Sequence, residues 1–236
     1  AADAGDEGRE HPRAHALARA ARRAVALSDA HAPVRCRFDG DDTPGAPRVF
    51  ALRAPGALPG DAPEAARALA RVQARDALHA LLVGEGLIAP DAPPLSNVRG
   101  EHPHVPGRPR LGLSISHERA ISLLAFCASG AVGVDVAAVD AAADASELRR
   151  TAGVFLEPKA AVALSHPAHK ATFFIAFNEA WAAHEARLKC IGQPLVEWSP
   201  ALSARLAGVR ASPVDLPAWA TPGHVAAVAW RAADSG

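Results

Sequence analysis

The spacing of apolar and polar residues along the chain predicts short strands separated by a few longer helices. Strands are expected where apolar residues occupy every second position, or where a short apolar run is bounded by turn residues. Six segments fit this description, namely residues 34–38, 48–52, 111–117, 121–126, 131–136 and 224–230. We expect the first two to form a hairpin with a long loop. The next three form a predicted meander in which residues 128–130 make a hairpin turn.

Helices are expected where apolar residues recur every three or four positions. This pattern covers residues 63–82, 157–164 and 170–190. The polar, Ala- and Arg-rich residues 1–30 are compatible with a loosely packed helix. Each half of the chain then contains strands, a long helix and a closing strand. The pattern therefore predicts an α+β fold of two similar halves packed face to face.

Composition narrows the classes of function. The 236 residues suffice for one large domain or two small ones, and 25 Lys and Arg residues balance 25 Asp and Glu residues. No global charge therefore favours nucleic acid, and no stretch approaches the roughly 20 apolar residues of a membrane span. Cys36, Cys127 and Cys190 form no Cys-x-x-Cys pair. This argues against a disulfide framework or a cysteine zinc site and favours a reducing cytoplasm.

Three short stretches contain residues that could carry chemistry. Residues 114–117 place Ser and His at the end of a strand, which is either a surface turn or a pair of hydrogen-bond donors for an anion. Asp135 emerges from an apolar Val-Gly-Val run, so its carboxylate must be paired or desolvated. Glu185 and Lys189 are spaced i, i+4 on one helix face. They form either an ordinary ion pair or, with Asp135, a Mg²⁺ and phosphate site.

Other common sites do not fit the sequence. The histidines lie in loops or lack the Glu of a hydrolytic zinc helix, so we interpret them as surface residues. A triad of Ser116, His117 and Asp135 is disfavoured, since neighbouring strand residues point to opposite faces and no Gly-x-Ser-x-Gly elbow occurs. The glycine-rich loops that cradle nucleotide phosphates are absent from the sequence.

The order of the motifs is that of a known family. Gly107-Arg108-Pro109 comes first, followed by residues 113–117, then residues 132–136, and finally Trp181 through Lys189 with Gly192 after them. This set resembles the 4'-phosphopantetheinyl transferases of the larger, surfactin-synthetase-activating type, over roughly residues 60–230. The resemblance implies a pseudo-dimer of two similar α+β halves with coenzyme A in the cleft between them. It places the boundary so that residues 1–131 form the N-terminal half and residues 132–236 the C-terminal half.

The resemblance also implies roles for basic and polar residues near the nucleotide. Ser116 and His117 would hold the 3'-phosphate of coenzyme A, with Arg108 standing where the family usually has a lysine. An arginine offers a planar bidentate fork, so phosphate binding should survive this change. One or more arginines of the first long helix would face the nucleotide, and this sequence supplies Arg67, Arg71 and Arg75.

The remaining roles concern the metal and the reaction. By the same resemblance, Asp135 and Glu185 would bind Mg²⁺ and Lys189 would lie beside the pyrophosphate. Glu185 would deprotonate a serine of an acyl or peptidyl carrier protein, directly or through a water, and this serine would attack the β-phosphate. 3',5'-ADP would leave, and Lys189 would meet its charge. The expected protein is a cytoplasmic, monomeric transferase with no nucleic-acid or membrane partner.

Two departures from the family pattern leave alternatives open. Ala137 stands where the family commonly has a second acid, and water could replace that ligand. His184 stands where lysine is usual, so local charge is expected to depend on pH. One alternative is a catalytically impaired homologue that binds coenzyme A or a carrier protein without transfer. Another is a Mg²⁺-dependent phosphohydrolase, which no second carboxylate cluster supports.

Overall fold

The computed structural model describes residues 32–54, 63–96, 102–166 and 172–232, and the helix expected within residues 1–30 lies outside these ranges. The described residues form seven strands and five helices. The strands are β1 (Val34–Phe38), β2 (Arg48–Arg53), β3 (Gly112–Glu118), β4 (Ile121–Cys127), β5 (Gly130–Ala138), β6 (Arg210–Asp215) and β7 (His224–Ala232). The helices are α1 (Pro63–Gly84), α2 (Ala145–Phe155), α3 (Pro158–Ser165), α4 (Phe173–Cys190) and α5 (Pro200–Leu206).

All seven strands belong to one sheet in the order β3-β4-β2-β1-β6-β7-β5. Every pairing within this order is antiparallel. The two end strands, β3 and β5, lie side by side, so the sheet is nearly closed. The α+β expectation is thus confirmed at the level of a mixed fold built on an antiparallel sheet.

Alternating side chains divide the core into an inner and an outer part, because successive strand residues point to opposite faces. On β2, Val49 and Ala51 point into the nearly closed sheet, while Phe50 and Leu52 point outward against α1. The inner cluster gathers sixteen buried residues, among them Leu123, Val134 and Val228. The outer cluster includes Ala74, Leu78 and Leu82 of α1. Helix α1 therefore covers the face formed by β2, β3 and β4.

Helix α4 covers the other part of the outer face. Its alanines Ala182 and Ala186 pack against Ala227 and Ala229 of β7 in a cluster that also contains Val209. These small side chains let the helix axis approach the sheet closely, so α4 contacts both β5 and β7. The two long helices thus lie on either side of the line where β3 meets β5.

The chain turns between β4 and β5 as predicted, but the predicted hairpin pairing of these two strands is wrong. β4 pairs with β2 and β3, whereas β5 pairs with β7 along its whole length from Gly130 to Ala138. The short link carries the chain across the gap between the two ends of the sheet, where Gly130 N donates to Arg110 O at 3.1 Å. Turn residues indicate that the chain changes direction, but they do not determine which strand the following residues pair with.

Several elements escaped prediction. Helix α2 begins after Asp144, whose carboxylate caps the N–H groups of Ser146 and Glu147. Strand β6 contains Pro213, which disfavours a strand prediction, and α5 is only seven residues long. The predicted boundary after residue 131 falls within β5, and the division into two halves stays a prediction. In the part of the chain that is described, none of the helices has the length and apolar character needed to cross a membrane.

Candidate active site

The ends of the sheet meet along a seam, which we define as the parallel contact of β3 with β5. Two serine hydroxyls of β3 bridge the seam, because each accepts a hydrogen bond from a backbone N–H group of β5. Ser114 Oγ accepts from Val134 N at 3.0 Å, and Ser116 Oγ accepts from Val136 N at 3.4 Å. At the start of the seam Gly112 has no room for a side chain, because a Cβ would collide with the carbonyl of Gly130. The two serines of the Leu-Ser-Ile-Ser pattern in β3 thus accept hydrogen bonds from β5 at the place where the two strands form no ladder of backbone hydrogen bonds.

Asp135 projects from the seam toward α4. Val134 and Val136 point into the core, so strand alternation turns Asp135 outward, where it is only 5% exposed. Its Oδ1 accepts from Lys189 Nζ at 2.6 Å and from Ser116 Oγ at 2.8 Å. Lys189 Nζ also donates to Ser116 Oγ at 3.2 Å. Three side chains from β3, β5 and α4 therefore form a closed hydrogen-bonded triangle.

Glu185 lies one helical turn before Lys189 and joins this group. Burial, the negative charge of Asp135 and a hydrogen bond between the two carboxyl groups raise the pKa of Glu185, whereas the charge of Lys189 and a hydrogen bond from Trp181 lower it. Trp181 is held in turn by stacking on Phe177 at 5.8 Å. Glu185 and Asp135, separated by fifty residues of sequence, thus form a close pair of carboxyl groups whose like charges interact.

Gly133 brings α4 to this position. A Cβ at residue 133 would lie 2.5 Å from Cys190 N, 3.0 Å from Lys189 Cβ and closer still to Ala186 O. Glycine therefore allows direct contact between the backbones of β5 and α4. This contact places Lys189 and Glu185 over Asp135, two residues further along β5.

A second cluster lies on the opposite face of β3, beside α1. His117 Nδ1 is 2.8 Å from Ser122 Oγ. Its pKa is lowered by loss of hydration and by the positive charges of Arg71, Arg75 and Lys189. Burial and the neighbouring charge of Arg71 lower the pKa of Arg75 as well. This positive cluster favours an anion. Among the described residues, neither arginine forms an ion pair with a carboxylate.

The structure separates two residues that the sequence grouped. Ser116 points toward Asp135, while the next residue, His117, faces the arginines of α1. Arg108 lies in the exposed turn before β3, where its backbone N–H bonds to Val105 O at 3.1 Å. Within the described ranges, its side chain makes no hydrogen bond or ion pair.

His184 and Ala137 occupy apolar surroundings. His184 is 5% exposed, and burial, aided by the charge of Arg187, lowers its pKa to about 4. It is therefore neutral at physiological pH, which corrects the expectation that it makes local charge pH-dependent in that range. Ala137 packs against the alanines between α4 and the sheet, on the same face of β5 as Asp135.

Asp135 and Glu185 fit a metal that takes one or two protein carboxylates. Both offer hard oxygen donors, and the repulsion between them is the kind that a divalent cation relieves. Across the described residues no group of three or more His, Cys, Asp or Glu side chains could hold a metal ion. A Mg²⁺ ion bound by one or two protein carboxylates typically takes waters and substrate phosphates as its other ligands.

One contributor to the site was missed from the sequence, namely Ser122, whose hydroxyl contacts His117. Trp181 belongs to a stretch that the sequence singled out, and it lies four residues before Glu185 on the same helix face, but its hydrogen bond to Glu185 was not predicted. The pKa of His102 is lowered by partial loss of hydration and by the charge of Lys189, and its position in a loop gave no hint of this. A scan of protein-family models and a search of curated proteins found no match to this chain.

Proposed function

We propose that the protein transfers the 4'-phosphopantetheine arm of coenzyme A to a serine of an acyl or peptidyl carrier protein and releases 3',5'-ADP. The observation that carries this proposal is the convergence of Asp135, Glu185 and Lys189 at one seam. These residues come from β5 and α4, and they lie beside a positive cluster in which Arg71 and Arg75 carry the charge and the imidazole of His117 is neutral. A carboxylate pair next to a separate cationic cluster suits a substrate that carries both a diphosphate and a second phosphate.

The chain's own residues would divide the chemistry as follows. Glu185 would take the proton of the carrier serine, directly or through a water. The serine oxygen attacks the β-phosphate, and the bond from that phosphorus to the oxygen bridging the two phosphates breaks. Lys189 would meet the charge on the departing 3',5'-ADP. Asp135 and Glu185 would hold Mg²⁺, which when bound would neutralise and orient the diphosphate.

Coenzyme A would lie in a cleft along the seam, between the halves formed by residues 1–131 and 132–236. Its 3'-phosphate would contact His117 and Arg75, with Arg108 reaching in from the turn before β3. This arrangement needs one chain only, which supports a monomer. The proposed enzyme is cytoplasmic, because its proposed substrates, coenzyme A and carrier proteins, meet in that compartment.

The proposal is tested by incubating the protein with Mg²⁺, coenzyme A and several apo carrier proteins, followed by intact mass measurement of each carrier. We expect one or more carriers to gain the mass of a phosphopantetheine arm. Glu185→Gln should abolish this gain while leaving the circular dichroism spectrum unchanged. Full turnover by Glu185→Gln would remove Glu185 from the reaction.

A second candidate is a catalytically impaired homologue. It is favoured by Ala137, which leaves the metal with two carboxylates, and by the ion pair that engages Asp135 with Lys189. Binding of coenzyme A without mass gain on any carrier would select this candidate. Absence of both binding and transfer would exclude the two together.

A further inference from the structure

We infer that Ser116 is a positioning residue for the Asp135 carboxylate and does not hold the phosphate of the nucleotide. This inference rests on the proposed function, because it concerns the metal and nucleotide of the same site. It differs from the role that the family resemblance gives to Ser116. It follows from the contacts of one buried hydroxyl group.

The hydroxyl of Ser116 has no hydrogen-bonding capacity left. A serine hydroxyl has one hydrogen to donate and two lone pairs that accept. Ser116 donates to Asp135 Oδ1 at 2.8 Å. It accepts from Lys189 Nζ at 3.2 Å and from Val136 N at 3.4 Å. A phosphate oxygen is an acceptor and needs the single hydrogen that Asp135 already receives.

Burial and direction support the same assignment. Ser116 is 5% exposed and points to α4, whereas His117 and the arginines of α1 lie on the other face of β3. A phosphate bound by His117 and Arg75 therefore lies across the strand from the Ser116 hydroxyl. The positive cluster binds an anion without help from Ser116.

The role that remains is orientation of Asp135. The Ser116 hydroxyl donates to Oδ1 of Asp135 and accepts from Lys189, so it fixes the Asp135 carboxylate against both β3 and α4. Outer partners of metal-binding carboxylates typically change metal affinity by about 10- to 100-fold when they are removed. Loss of the hydroxyl should therefore weaken metal binding much more than nucleotide binding.

The test compares Ser116→Ala with Ser114→Ala, which is a matched control. Ser114 makes the same kind of seam bond, to Val134 N at 3.0 Å, without touching Asp135. Mn²⁺ affinity is measured by electron paramagnetic resonance without nucleotide, and 3',5'-ADP affinity by calorimetry without metal. Ser116→Ala should lose about tenfold in Mn²⁺ affinity and keep 3',5'-ADP affinity within about twofold. Ser114→Ala should keep both within about twofold.

Three further substitutions test the same assignment. Ser116→Thr retains the hydroxyl and should have the Mn²⁺ affinity of the wild type. Ser116→Cys keeps the volume of the side chain without the hydroxyl and should lose Mn²⁺ affinity. These two variants decide the question if Ser116→Ala does not fold. His117→Ala provides the loss of 3',5'-ADP affinity expected of a phosphate ligand. An equal loss in Ser116→Ala, or unchanged Mn²⁺ affinity, overturns the inference and leaves the proposed function standing.

Failure of the proposed function has a different signature. The proposed function is overturned if the wild-type protein binds neither coenzyme A nor 3',5'-ADP. In that case the comparison of Mn²⁺ affinity between Ser116→Ala and Ser114→Ala still decides the role of Ser116. A wild-type protein without measurable Mn²⁺ affinity overturns the positioning role, because Asp135 then has no ion to face.

Discussion

Replacing Gly133 with alanine should damage both stability and activity through a single added methyl group. Its Cβ would lie 2.5 Å from Cys190 N and closer still to Ala186 O, and both of these are backbone atoms of α4. Because Cβ contacts below about 3 Å are essentially never seen, α4 must retreat by roughly 1 Å, an overpacking that typically costs about 1–3 kcal/mol. The same retreat stretches the 2.6 Å contact between Lys189 and Asp135. A misplacement of about 1 Å can cost on the order of a hundredfold in rate.

Urea unfolding and the carrier mass assay measure the two effects separately. The matched control is Gly153→Ala in α2, where a Cβ would meet no atom within 4 Å. That substitution should stabilise the helix by about 0.5–1 kcal/mol and leave transfer unchanged, because alanine is the better helix former. If Gly133→Ala matches the wild type in stability and rate, α4 is not seated on β5 as described, and the argument for a shared site fails.

Three further predictions test other features. Stability should fall as pH decreases from about 6.5 to about 4, because His184 has a pKa near 4 when folded and the unfolded chain takes up the proton first. Each pH unit in that window costs up to about 1.4 kcal/mol, and urea unfolding of His184→Leu should show a weaker dependence. Lys189→Met should strengthen Mn²⁺ binding by freeing Asp135 while reducing transfer, and Lys159→Met on α3 should do neither. Ala137→Glu should lower the Mg²⁺ concentration needed for half-maximal transfer, and an unchanged requirement would place residue 137 outside the coordination sphere.

Much of the secondary structure could be predicted from local patterns. Strands β1 to β5 and β7 and helices α1, α3 and α4 lie within a few residues of their predicted ranges. Alternation and helical spacing are local properties of the sequence, so they can be recognised without knowledge of the fold. The missed elements were α2, whose apolar face is partly alanine, the proline-containing β6 and the short α5.

The site was predictable only in part. Spacing placed Glu185 and Lys189 on one face of α4, and alternation turned Asp135 away from its valine neighbours. The resemblance joined these residues into one group, and the structure brings them together. Spacing could not assign Ser116 to Asp135 and His117 to the arginines, since alternation separates two side chains without naming their neighbours.

By itself the sequence determined which segments become strands or helices and which side of each segment is apolar. The tertiary structure alone decided that β5 leaves β4 to pair with β7, that α4 rests on Gly133, and that the imidazole of His184 is buried and neutral. The physical reason is distance along the chain. Local periodicity acts over a few residues, whereas the ion pair of Asp135 with Lys189 joins positions 54 residues apart, which only the packing of whole faces can bring together.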